Sequence, residues 1–362
     1  PRRLTRCAAS SKPSDMDLHA TKAAGLDYPW PQPPAPAGLI EVAEGVHWLR
    51  MPLPLALDHI NLWLLEGAEG WTLVDCGMAT EKTKGLWREL FAGAASRLPP
   101  REVIATHFHP DHVGLAAWLT SEDLLPLTMT ETEHRTACFS VELDDEAFVA
   151  ELESFFLPHG LDGERMAMLA RYGNAYARTV DMPPKSFRKI ADGDVIEAGG
   201  RHWRVIVGRG HAPEHAALYC EETQVLICGD LVLPEITPNV STEWFDQESD
   251  HLANYLASLN RFRELPEDTL VLPSHRLPYR GLHRRIAEIE AHHEERLQRV
   301  LRFAGTEPFA AAEILPVIFD RPLEGYQVFF ALGEAVAHLD HLVNRSEFAV
   351  TRETGRVRYR KL

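Results

Sequence analysis

The sequence predicts a mixed α/β (α+β) fold that ends in a small helical module closed by a β-hairpin. Three observations predict it: short β runs joined by tight turns between residues 40 and 74, β/α alternation beyond them, and helical spacing after Arg284. The first runs are Ile40-Glu41-Val42, Val46-His47-Trp48-Leu49, Ile60 through Leu65 and Trp71-Thr72-Leu73-Val74, which read as an antiparallel meander. Thr80 to Ala95 reads as a helix and Val103-Ile104-Ala105 as a buried strand. From about 119 to 187 the rhythm breaks into helical patterns, such as Phe148, Leu152, Phe155 and Phe156, expected as a lid or a homodimer contact. Strand signals return at Val195-Ile196, Trp203 to Val207, Ala217-Leu218-Tyr219, Val225-Leu226-Ile227 and Leu270-Val271-Leu272. Ile286, Ile289, His293, Leu297, Val300 and Leu301 then follow helical spacing. Two further helices, at 310–318 and 328–343, and a hairpin over 348–359 complete a winged-helix-like module. The expected division is an extended, proline-rich N-terminal arm (1–39), a catalytic domain (40–283) and the C-terminal module (284–362).

A chain of 362 residues with 45% apolar and 25% charged content has room for one large globular domain or two. Its net charge of -16 argues against a protein built to grip a nucleic-acid backbone. Five cysteines without paired spacing give no disulfide framework and imply a reducing, cytoplasmic setting. No stretch is long and apolar enough to predict a membrane span. Residues 1–15 are basic and serine-rich without an apolar centre, and read as an upstream extension rather than a secretory signal.

The chemistry concentrates in Thr106-His107-Phe108-His109-Pro110-Asp111-His112-Val113-Gly114. Imidazole and carboxylate are donors that zinc and similar divalent metals accept. His107 and His109 are two apart and can point the same way at a strand end, while Asp111 and His112 turn toward a neighbouring point. That arrangement suits two metals side by side. Three more metal-competent residues directly follow apolar strands: His211, Asp230 and His275. Asp75, in Leu73-Val74-Asp75-Cys76-Gly77, also ends a strand and is expected to orient ligands by hydrogen bonds.

In order and context these motifs resemble the metallo-β-lactamase superfamily, together with Gly210-His211-Ala212-Pro213-Glu214-His215, Gly229-Asp230 and Pro273-Ser274-His275. The resemblance covers about residues 40–280. It implies an αββα sandwich with two divalent metals at one edge, zinc first and iron or manganese also accommodated. His107, His109 and His211 would hold one metal, Asp111, His112 and His275 the other, and Asp230 would bridge them. It implies a hydrolase in which a metal-bridging hydroxide attacks an ester, thioester or lactone-type small molecule, with Asp111 able to shuttle the proton. Such a site favours an anionic or carbonyl-bearing substrate.

Departures from the pattern narrow the substrate. An aspartate at position 230 argues against antibiotic hydrolysis. Leu231-Val232-Leu233-Pro234-Glu235-Ile236 replaces the glycine-rich loop of glyoxalase II enzymes. The C-terminal module resembles that of a subgroup similar to β-lactamase-like protein 2, which cleaves single-stranded RNA, so an endoribonuclease is the second reading. Arg352, Arg356, Arg358, Arg360 and Lys361 form a basic strand pair, but the preceding helix offers no Lys or Arg between Tyr326 and Val343. A non-catalytic metal-binding protein is the third reading, disfavoured because no ligand is missing. Arg276, His59, Tyr279 and His215 are the expected substrate contacts; a fixed cation at Arg276 would suit a carboxylate or phosphate.

Overall fold

The computed structural model describes residues 25–123, 125–323, 325–353 and 355–362; the expectations for residues 1–15 and for Cys7 lie outside them. The first sheet has seven strands in chain order: β1 (Ile40–Ala43), β2 (Val46–Pro52), β3 (His59–Glu66), β4 (Trp71–Val74), β5 (Pro100–Ile104), β6 (Leu127–Thr130) and β7 (Arg188–Ile190). The first four pair antiparallel through short turns, and β4 to β7 pair parallel. Parallel pairing needs crossovers. These are supplied by α1 (Glu81–Ala92) between β4 and β5, by α2 (Pro110–Val113) and α3 (Ala116–Asp123) before β6, and by α4 (Glu131–Glu142), α5 (Asp145–Phe156) and α6 (Gly163–Ala170) before β7. The Thr80 side chain caps α1 by accepting the Thr83 N–H, so the helix starts where the sequence places it.

The second sheet contains β8 (Val195–Ala198), β9 (Arg201–Gly208), β10 (His215–Cys220), β11 (Val225–Gly229) and β12 (Leu270–Pro273), in the order β12-β11-β10-β9-β8. Helix α7 (His251–Phe262) carries the chain from β11 to its parallel neighbour β12. Then come α8 (Leu282–Phe303), α9 (Leu315–Ile318), α10 (Gln327–Asn344) and the hairpin of β13 (Phe348–Glu353) and β14 (Arg356–Lys361).

Strand alternation sorts the core into layers. Trp48, Trp63, Val74 and Ile104 share a cluster with Val205, Val207, Leu218, Ile227 and Leu272, which places it between the two sheets. The opposite faces of the same strands, through Leu49, Leu62, Leu73 and Val103, pack with Trp87 and Leu90 of α1. On the second sheet Ile206, Ala217, Leu226 and Val271 pack with Leu252, Tyr255 and Leu259 of α7 and Ile286 and Ile289 of α8. The result is the helix–sheet–sheet–helix sandwich.

Two local readings change. Leu127-Thr128-Met129-Thr130 is a fully buried strand of the first sheet, so the helical insertion proper starts at Glu131; four residues are too short a run to show a period. The C-terminal module packs closely on the rest of the chain, since Leu297, Phe309, Val336 and Tyr359 belong to the same apolar cluster as the outer face of the second sheet. The helix expected over 310–318 is a 3₁₀ turn, Ala311–Ile314, followed by a single α turn. The proline-rich segment is extended but not free: Asp27 pairs with Arg280, and Trp30 packs on the inter-sheet core. Among the described residues no helix is long and apolar enough to cross a membrane.

Candidate metal centre

Five loops leave the carboxyl ends of β4, β5, β9, β11 and β12, and they bring Asp75, His107, His211, Asp230 and His275 to one edge of the sandwich. This is where open α/β sheets place ligands, because strand ends there give way to loops free to carry polar groups. The seven ligand candidates converge as two clusters. His107, His109, His211 and Asp230 form one, and Asp111, His112 and His275 the other, with ligand atoms within 4.8 Å in each.

The hydrogen bonds behind each imidazole fix its tautomer. His112 donates Nδ1–H to Asp75 Oδ2 at 2.8 Å, His211 to the Asn239 carbonyl at 2.8 Å, and His275 to the His59 carbonyl at 2.9 Å. Each therefore turns Nε2 inward, the atom an imidazole ligand offers a metal. Asp75 also accepts the Thr106 N–H at 2.8 Å and the Thr106 hydroxyl at 3.0 Å. That hydroxyl in turn lies 3.0 Å from His107 Nδ1, so it can accept the His107 Nδ1–H and leave His107 Nε2 bare. His107 Nε2 and His109 Nδ1 are 2.9 Å apart, and either a proton or a cation must lie between them.

A divalent ion fits these donors. Asp230 Oδ2 stands 3.5 Å from Nε2 of His112, of His211 and of His275. Two ligand atoms each about 2.0–2.1 Å from a tetrahedral ion are separated by roughly 3.4 Å. His112 Nε2, His211 Nε2 and Asp230 Oδ1 are buried without a hydrogen-bond partner, an arrangement costly in a core unless something else satisfies them.

Charge divides the cluster. Burial, and then the neighbouring histidines, hold His107 and His109 well below the usual imidazole range, so their lone pairs are available. Burial opposes the charged forms of His112 and His275 as well, yet the nearby aspartates outweigh it and raise both. Burial would raise Asp230, but His275 and His112 hold it well below the usual carboxylate range. A cation entering the second cluster must therefore displace protons.

Residues 55–275 match the metallo-beta-lactamase superfamily, and residues 297–362 match the metallo-beta-lactamase-like C-terminal domain. The chain belongs to the metallo-beta-lactamase superfamily. It is similar to a probable metallo-hydrolase, YqjP, of Bacillus subtilis, at 27% identity over 85% of this chain and 94% of that one. It is similar to the acyl-coenzyme A thioesterase MBLAC2 of Bos taurus at 23% identity over 65% of this chain and 79% of the relative. Among solved structures, a beta-lactamase domain protein from Burkholderia ambifaria aligns at 42% identity with a TM-score of 0.86, covering 93% of this chain and 98% of that one. Superfamily membership and these relatives make the protein a metal-dependent hydrolase.

Of the four expected substrate contacts, Tyr279, His215 and His59 are buried, and Arg276 is partly exposed. Tyr279 is fully buried in the core beneath the second sheet and donates its hydroxyl to the Val232 carbonyl at 3.2 Å. His215 is buried against His107, ring centroids 4.5 Å apart, and its Nε2 accepts the Asp230 N–H at 3.1 Å; it supports the cluster from behind. Gly229, at φ +54°, is what admits it: a Cβ there would meet His215 Nε2 at 2.2 Å. His59 is buried too. It donates Nδ1–H to Asp58, accepts the Arg276 N–H at 3.0 Å and holds His275 through its carbonyl. Arg276 has a left-handed backbone (φ 73°), and its Nε lies 3.7 Å from a carboxylate oxygen of Glu235.

Sequence reasoning missed Glu133. This fully buried carboxylate on α4 accepts the Phe108 N–H at 2.8 Å and the Glu214 N–H at 2.5 Å. It ties the loop carrying His107 and His109 to the loop after His211. Burial pushes it up to about 7 despite both donors. Nothing in Thr130-Glu131-Thr132-Glu133 distinguishes it from the exposed first turn of any helix.

Proposed function

We propose that the protein is a dinuclear metal-dependent hydrolase acting on an ester, thioester or lactone-type small molecule. The observation that carries this reading is Asp230: one of its oxygens is equidistant, at 3.5 Å, from a histidine of the first cluster and two of the second. In this reading His107, His109 and His211 hold one ion, Asp111, His112 and His275 the other, and Asp230 spans both. Zinc suits these nitrogen and oxygen donors best, and iron and manganese also accept them.

When bound, two such ions supply a hydroxide nucleophile at neutral pH and positive charge for a developing oxyanion. The protein's side chains do the rest. Asp75 and the carbonyls of Asn239 and His59 keep three imidazoles aimed inward. His215 and Glu133 hold the loops between them. Asp111, less buried than Asp230, offers a carboxylate through which a proton can leave toward solvent. The thioesterase name of the MBLAC2 relatives supports the substrate class. The unpaired Cys76, Cys138, Cys220 and Cys228 suit a cytoplasmic setting.

The test is a hydrolysis panel of lactones, thioesters, phosphodiesters and single-stranded RNA with metal-loaded protein. Carbonyl substrates should be cleaved and the rate should vanish with chelation. Cleavage of RNA alone would replace this reading with an endoribonuclease.

A further inference from the structure

A strip of aromatic rings leads away from the metal cluster. Phe108, between His107 and His109, has its ring 4.6 Å from that of His109 and 5.9 Å from Phe245. Phe245 meets Trp244 at 5.1 Å, and Trp244 meets Phe139 of α4 at 5.6 Å and Phe148 of α5 at 6.1 Å. These rings come from the histidine loop, the loop after β11 and two helices of the insertion. The packing is tilted or edge-on, as aromatic pairs prefer.

The strip meets the histidines at Phe108. Both polar backbone groups of Phe108 are used, the N–H by Glu133 and the carbonyl by the Tyr176 hydroxyl at 2.5 Å. Its far end is open: Phe139 is 43% exposed, and Trp244, Phe245 and Phe148 are only half-buried. The loop holding Trp244 and Phe245 is tied down, since Gln247 donates to the Trp244 carbonyl and His251 to the Asp246 carbonyl. The rings are thus held in place, continuous with the metal cluster, and wet at one end. An exposed ring that continues a half-buried aromatic row carries an unfavourable hydration cost unless something covers it.

We propose that this strip is the subsite for a straight apolar tail on the acyl group, which makes the preferred substrate a long-chain acyl ester or thioester. The proposal rests on the hydrolase reading above. It gives the helical insertion a role: α4 and α5 set chain-length preference. Each methylene laid fully on the rings should tighten binding by about fourfold, and a half-covered one by about twofold.

The experiment measures binding without turnover. Straight-chain fatty acids of four to sixteen carbons are titrated calorimetrically into metal-loaded wild type and into Phe139→Ser and Trp244→Ser. Hydrolysis of acyl thioesters of the same lengths is followed in parallel. Affinity should rise with chain length in wild type, and the slope should flatten in both variants while metal content stays constant. A wild-type affinity independent of chain length overturns the proposal, as does an unchanged slope in both variants. Retained chain-length-dependent binding with no thioester or ester hydrolysis would leave the subsite standing and remove the reaction class. If Phe139→Ser instead dissociates a dimer while the slope persists, the strip belongs to a second copy of the chain.

Discussion

Asp75→Asn isolates the role of a residue that binds no metal in this account. Asp75 has a left-handed backbone, φ 64°, which asparagine tolerates, so the substitution changes the side chain without adding backbone strain. The carboxylate accepts from Thr106 N–H, from the Thr106 hydroxyl and from His112 Nδ1–H. An asparagine oxygen can keep the Thr106 N–H, but the amide nitrogen then faces His112 Nδ1. To avoid a donor–donor clash His112 must move its proton to Nε2, the atom that faces the cluster. A hydrogen bond to a charged group contributes about 1.5–3 kcal/mol, and support of this kind is typically worth about 10–100-fold in metal affinity. The ion held by Asp111, His112 and His275 should weaken by about that factor, and the ion held by His107, His109 and His211 much less. Chelator competition with metal-free protein, with circular dichroism as the folding control, reads both sites. Equal loss at both, or loss at neither, refutes the reasoning.

Other perturbations follow from the same geometry. Glu133→Gln keeps one strap acceptor and turns a donor against the second backbone N–H, so thermal unfolding should show a loss of about 1–3 kcal/mol together with weaker metal binding; unchanged values contradict the strap. Gly229→Ala places a Cβ 2.2 Å from His215 Nε2 in a left-handed backbone, and should lower both stability and metal content; a fully loaded, equally stable variant would show that the contact relaxes without consequence. His338, on α10 and facing His293 of α8, is pushed down to about 3 by burial and then by Arg296. Its folded pKa lies below the ordinary 6.5, so the unfolded chain takes up a proton that the folded chain refuses, and its contribution to stability falls as pH drops below about 6.5. Between pH 7 and 5 wild type should lose roughly 2 kcal/mol more than His338→Gln in denaturant unfolding, and parallel losses contradict this.

Much of the site was legible because its residues sit directly after apolar strands, where sequence marks both the strand and the polar loop. Asp75, His107, His211, Asp230 and His275 all follow that rule. Contacts that depend on distant backbone were not legible. His59 and Tyr279 sit near the motifs in sequence, yet the fold turns one carbonyl toward His275 and sinks the other ring into the core. Glu133 needed the packing of α4 against two loops. The C-terminal helices carry an amphipathic pattern complete in itself, and only packing reveals that Val336 and Tyr359 share a core with Leu226. A strand as short as Leu127–Thr130 carries too little period to stand out from the helices around it.

The central claim is a two-ion site joined by Asp230. Native mass spectrometry of metal-loaded wild type, His275→Ala and Asp230→Ala measures it directly. Wild type should hold two ions per chain, His275→Ala one and Asp230→Ala at most one. A single ion in wild type, or two retained in Asp230→Ala, would contradict it.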